Sequence, residues 1–178
     1  RRRVVIGLAA VPLALSLGDV LAQGGTDIAL PPPQTEGGIP LMQALKARHS
    51  TREFGSQPLP PQVLSNLLWA ASGVNRPASG QRTAPSAHDW REIDVVVATA
   101  EGAYRYDPPT HTLIRVAAGD IRPLTGVQDF VATAPMNLVY VADLDRMSEA
   151  SAGDKAFYSA TDAGFIAQNV YLYCASAG

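Results

Sequence analysis

An α+β domain is predicted by three features of this 178-residue chain. Apolar residues recur at helical spacing in its first third, and β-branched runs separated by short turns fill the middle. A last segment of some twenty residues, from Ala156 to Ala177, then reads as one long helix.

Each element has a local cause. Pro40 suits a helix start, and Leu41, Met42 and Leu45 give that short helix an apolar face. Pro58 to Pro61 introduces a second helix with Val63, Leu64, Leu67, Leu68 and Ala71 on one side, and Gly73 closes it. Residues 74–91, rich in Asn, Pro, Gly and Ser, show no period and read as a long loop, a kind of segment that usually carries function. Glu92 to Thr99 is a β-branched strand. After a turn at Glu101-Gly102, Ala103 to Asp107 pairs with it, and Pro108 to His111 turns the chain into Thr112–Val116. A short helix is expected around Val127 to Ala132, then a strand from Asn137 to Asp143. In the final helix, the interior Gly164 points to close packing against another backbone.

Composition excludes several classes. Hydrophobic residues make up 47% and charged residues 17%, so a substantial core is expected. With a net charge of −2, and no basic stripe beyond the first three residues, nucleic acid is not an expected partner. Cys174 is the only cysteine, which rules out an internal disulfide; it reads as a small buried hydrophobe on the last helix. His49, His88 and His111 are far apart and none has a second ligand at metal spacing, so no metal site is expected.

The ends carry their own pattern. Arg1-Arg2-Arg3, an apolar run from Val4 to Gly18 and Val20-Leu21-Ala22 form a secretory signal over residues 1–22, too short for a stable membrane span. Export to the periplasm is expected, and the adjacent arginines permit the twin-arginine route. Residues 23–38, rich in Gly and Pro, read as a linker or arm, and residues 39–178 as the folded domain. Because the chain stops at a helix-capping Gly178, a following segment is expected.

The chemistry centres on Arg48-His49-Ser50-Thr51-Arg52. Two guanidinium forks, a hydroxyl and an imidazole within five positions suit a phosphate, and the two arginines could meet one dianion if a helix continues or ends between them. The pattern equally suits a solvated basic helix end. No dinucleotide glycine fingerprint, phosphate-binding loop, nucleophile elbow or zinc-protease helix is present. Ser86, His88 and Asp89 lie too close in sequence to align as a hydrolytic triad. A clamp, a polar loop and a helix bearing Gln168 and Asn169, with no identifiable catalytic acid, base or nucleophile, fit a protein whose bound cofactor does the chemistry.

These pieces, in this order, resemble the nitroreductase family of flavin mononucleotide (FMN) oxidoreductases over roughly Ile39 to Gly178. The resemblance rests on Arg48 to Phe54, on the Pro-Pro-x-Val-Leu-x-x-Leu-Leu-Trp-Ala-Ala helix, on Arg82-Thr83-Ala84-Pro85-Ser86-Ala87, which is similar to a loop of the thiazoline-oxidase-type branch, and on Asp162-Ala163-Gly164 with Gln168-Asn169-Val170. It implies a three-layer α+β sandwich, with a central, largely antiparallel sheet flanked by helices, and a homodimer binding FMN at its interface. Arg48, His49, Ser50 and Arg52 would hold the ribityl phosphate. Pro85, Ser86 and Ala87 would lie against the isoalloxazine from the partner subunit. The resemblance further implies electron transfer from a donor, NAD(P)H among the options, to an electron-poor small molecule such as a nitroaromatic or quinone. Export conflicts with a nicotinamide donor, because nicotinamide cofactors are cytoplasmic. A flavin-binding scaffold without turnover is the alternative. His88-Asp89-Trp90 departs from the branch's commoner small residues, and the family's late segment near the flavin would lie beyond Gly178.

Overall fold

The computed structural model describes residues 3–6 and 26–178, so the expected signal over residues 1–22 lies outside the described residues except at 3–6. The chain forms helices α1 (Leu41–Ala47), α2 (Pro61–Ser72) and α3 (Ala152–Ala177). Its strands are β1 (Arg3–Ile6), β2 (Ile28–Ala29), β3 (Val74–Arg76), β4 (Gln81–Arg82), β5 (Ile93–Ala98), β6 (Gly102–Asp107), β7 (Thr112–Ala118) and β8 (Asn137–Asp143). Among the described residues, one sheet runs β1-β8-β5-β6-β7-β2, all neighbours antiparallel, and β3-β4 form a small hairpin.

Register decides which side faces the helices. Val97 pairs with Leu138 and with Tyr104, and Ile93 pairs with Ala142, so alternate residues share one face. That face meets Leu67, Leu68 and Ala71 of α2 and Ala163 and Ile166 of α3 in a single apolar cluster. The opposite face, with Asp94, Val96, Val139 and Val141, is only half-covered by this chain. The α+β fold is as predicted. The loop read at 74–91 contains the β3-β4 hairpin, and the helix expected near 127–132 is a single 3₁₀ turn at Asp129–Ala132. Helix α3 starts four residues earlier than read, where Ser151 caps it by accepting the Asp154 N–H.

One expectation for α3 is corrected and a second is narrowed. Cys174 is exposed rather than buried. Nothing in this chain comes within 4 Å of a side chain built at Gly164, so no backbone of the chain itself packs there.

The arm is docked rather than loose over its described part. Ile28–Ala29 add to the β7 edge, Gln62 donates to the Pro32 carbonyl (2.9 Å), and the Gln34 N–H donates to Asn66 (2.8 Å). Its centre is held through a buried hydroxyl. Ser65 Oγ donates its only proton to the Pro31 carbonyl (2.6 Å) and must therefore accept from His111 Nε2 (2.8 Å). His111 Nδ1 is then an acceptor, and the buried Tyr106 hydroxyl donates to it (2.8 Å). The chain Tyr106 to His111 to Ser65 to Pro31 is complete only with a neutral imidazole, and burial of the ring lowers its proton affinity.

A depressed imidazole contributes stability that is fully present above the ordinary value of 6.5 and is lost as pH falls through the lowered one. His111→Asn, which tolerates the left-handed backbone at this position (φ 52°), should destabilise the fold by about 1–3 kcal/mol at neutral pH. Denaturant titrations from acid to neutral pH should show the gap between wild type and variant narrowing on acidification.

Candidate active site

Helix α1 ends at Ala47, and Arg48 caps it, donating its N–H to the Ala44 carbonyl (2.8 Å). Residues 48–52 therefore leave the helix, and the four-residue helical spacing of Arg48 and Arg52 does not apply. His49 and Ser50 follow as irregular, exposed chain. The Arg48 guanidinium lies over the Tyr171 ring of α3, 5.9 Å from its centroid, and His49 Nδ1 bonds the Ala47 carbonyl (2.9 Å). Along the first half of α1, Leu41, Ala44, Trp69, Leu172 and Tyr173 line an open, mostly apolar groove of about 460 Å³.

Pro85, Ser86 and Ala87 stand elsewhere. The Ala87 N–H donates to Oδ2 of the buried Asp162 in α3 (3.0 Å), which fixes the loop to the helix. Pro85, Ser86, Arg76, Arg82, Arg91, Glu92 and Asp162 wall a cavity of about 290 Å³. The loop's backbone is strained, with His88, Asp89 and Arg91 all left-handed (φ 51°, 55° and 50°), a state that costs non-glycine residues about 1–3 kcal/mol each. Arg91 holds it by five contacts. Its N–H donates to Ser86 Oγ (2.9 Å), its side chain pairs with Asp89 (2.6 and 2.8 Å) and with the Gly80 carbonyl (3.1 Å), and its own carbonyl accepts from Arg146 (2.6 Å). The hydrogen bonds from Arg91 hold the Asp89 carboxyl below the usual carboxylate range. His88 and Trp90 stack at 4.5 Å and meet Tyr158 of α3 edge-on.

Two buried atoms of the cavity wall lack partners among the described residues: Arg82 Nε and Glu92 Oε1. Burial first, then the neighbouring Arg91 and Arg146, lower the proton affinity of Arg82. Burial first, then the charge of Asp162, raise that of Glu92. Neither residue stood out as a site residue in the sequence, although a carboxylate opening an apolar strand is a signal of one.

The clamp and the loop do not meet within one chain. Arg48 contacts α3 at Tyr171 and Ala87 contacts it at Asp162. Nine helical residues are roughly 2.5 turns and about 13 Å, so the two contacts lie on opposite faces of the helix. Gln168 is exposed and Asn169 half-buried, on the groove side.

Residues 45–178 match the family model described as "Nitroreductase family". The chain belongs to the nitroreductase family. It is 34% identical over 151 residues to a protein of Methanocaldococcus jannaschii provisionally designated a nitroreductase, spanning 79% of this chain and 75% of that protein. A crystal structure from Ralstonia eutropha with the same designation superposes at a TM-score of 0.82 with 49% identity, covering 98% of this chain and 80% of its own. Another, from Anabaena variabilis, superposes at 0.59 with 24% identity over 75% of this chain and 30% of its own, which speaks for the fold alone. Membership makes this nitroreductase-family chain an oxidoreductase. No helix among its described residues is long and apolar enough to cross a membrane.

Asp162 is the pin of the strained loop, so Asp162→Ala should cost about 1–3 kcal/mol of stability by leaving the Ala87 N–H unpaired. Amide exchange at Ala87 should accelerate well before exchange in the β5 and β6 core.

Proposed function

We propose that the chain is an FMN-dependent oxidoreductase working as a homodimer, in which the phosphate clamp of one copy and the Pro85–Ala87 loop of the other enclose one flavin. The observation that carries this reading is the placement of those two groups on opposite faces of α3, since a second copy supplies the missing half. The cavity chemistry agrees. The pyrimidine edge of a flavin presents an N–H between two carbonyls, and the wall offers an unpartnered donor at Arg82 Nε and an unpartnered acceptor at Glu92 Oε1. Half-buried Arg48 and exposed Ser50 and Arg52, without carboxylate partners among the described residues, can meet a phosphate dianion, with His49 beside them.

The dimer reading draws on the outer face of α3. Phe157, Phe165 and Tyr171 are 64%, 45% and 38% exposed, Gly164 sits between them, and family members are commonly dimeric. When bound, the flavin supplies the two-electron chemistry. The chain's residues bind its phosphate, hold the ring against a loop that strain and Arg91 keep rigid, and limit water in the cavity. The donor would be a two-electron carrier such as NAD(P)H and the acceptor a small electron-poor quinone or nitro compound.

The purified protein should be yellow and should bind FMN. Arg48→Ala should weaken that binding by roughly 10- to 150-fold, the loss of one charged hydrogen-bonding partner worth about 1.5–3 kcal/mol, with a similar effect for Arg52→Ala. Titration of flavin-free protein measures it, and unchanged affinity in both variants would remove the clamp. Gly164→Leu should improve the helix of the single chain yet shift sedimentation toward monomer, with flavin content falling in parallel.

A further inference from the structure

Glu92 immediately precedes β5, with a side chain that solvent does not reach at all, at the wall of the 290 Å³ cavity. Oε1 has no hydrogen-bond partner among the described residues, and Oε2 lies 3.4 Å from Ser86 Oγ. The cations near it are engaged elsewhere. Arg146, from the turn after β8, pairs with Asp94 (3.0 Å) and Asp143 (3.4 Å), and Arg91 pairs with Asp89. From α3 it faces Asp162, another buried carboxylate. Burial first, then the like charge of Asp162, shift such a carboxyl group toward its protonated form.

The Ser86 hydroxyl can carry that proton onward. Its oxygen already accepts the Arg91 N–H at 2.9 Å and donates to Glu92 Oε2 at 3.4 Å; when Glu92 carries the proton that bond reverses, and the second lone pair of Ser86 accepts from Oε2. The serine's own proton is then free to point into the cavity.

We propose that Glu92 stores the proton taken up by the acceptor and delivers it through Ser86. The inference rests on the flavin reading above and deepens it. A quinone acceptor gains two electrons and one proton as hydride from the reduced cofactor. The second proton passes from Ser86 Oγ to the resulting oxyanion while Ser86 takes the Glu92 proton, yielding hydroquinone and a Glu92 carboxylate. Burial and the facing Asp162 make that carboxylate a strong base for its site, and it recovers a proton from water at the cavity mouth.

Glu92→Gln, which keeps shape but cannot release a proton, tests this. In flavin-free protein at neutral pH, the infrared carbonyl band of a protonated carboxylic acid should be present in wild type and absent in the variant. Because the raised carboxyl contributes stability that is complete below its ordinary value of 4.5 and is lost as pH rises through the raised one, Glu92→Gln should gain on wild type in denaturation midpoint as pH increases. In flavin-loaded protein, stopped-flow rates of reduction by the donor and of reoxidation are compared at equal flavin content. Reoxidation by a quinone should slow by roughly 100-fold or more and lose its solvent isotope effect. Ser86→Ala should keep the carboxyl band but slow reoxidation, and it carries the test if Glu92→Gln does not fold. A band unchanged in Glu92→Gln, or reoxidation at the wild-type rate in either variant, overturns the proposal while leaving the flavin reading intact. Failure of the wild-type protein to bind FMN overturns both.

Discussion

The hydrogen bond from the Ala87 N–H to Asp162 joins the site loop to the helix that also underlies the clamp. Asp162 is nearly solvent-free, so its carboxylate cannot exchange this partner for water, and losing it would leave a buried charge underpaired. With Ala87 fixed, Ser86 is directed toward Glu92, and the chain must pass through three left-handed residues to reach β5. The Arg91 contacts hold the strain in place. One buried acceptor thus sets the position of the loop, the shape of the cavity and the hydroxyl that bridges to Glu92.

Helix α3 works on both sides for a reason visible in its composition. Ser159, Asp162, Ala163 and Ile166 form the face that packs on the sheet and α2, while Phe157, Gly164, Phe165 and Tyr171 lie outside it. A helix with only one apolar stripe could be satisfied by its own domain. This one carries apolar area on a second stripe, and the chain's own elements leave it uncovered.

Much of the fold was legible in the sequence because its elements announce themselves through period. The strand read at Asn137–Asp143 is β8 residue for residue, and Pro61 and Gly73 bracket α2 as proline and glycine should. The β3-β4 hairpin was not legible, since it has no β-branched run and is closed by local bonds from Ser79 and Gly80 to the Arg76 carbonyl. The start of α3 was readable in principle from Ser151 and Asp154. The burial of Cys174 was misjudged because helical spacing identifies a face but not whether anything covers it. In the site, Arg48 and Pro85–Ala87 stood out by motif. Glu92 and Asp162 did not, because a buried carboxyl differs from a surface one only through its tertiary neighbours.

The docked arm also bears on how the sheet ends. Strand β7 is seven residues long, and its outer edge is paired only over Leu113 and Thr112, by the two-residue β2, with Asp27 accepting the Arg115 N–H just beyond. So brief a strand offers little template for a neighbouring molecule, and Lys-free, β-branched edges need such a cover to stay solitary. The arm therefore acts as a guard against edge-to-edge polymerisation. Its hold, through Pro31 and Ser65, thus protects the sheet edge with a segment that gives the core little beyond Leu30.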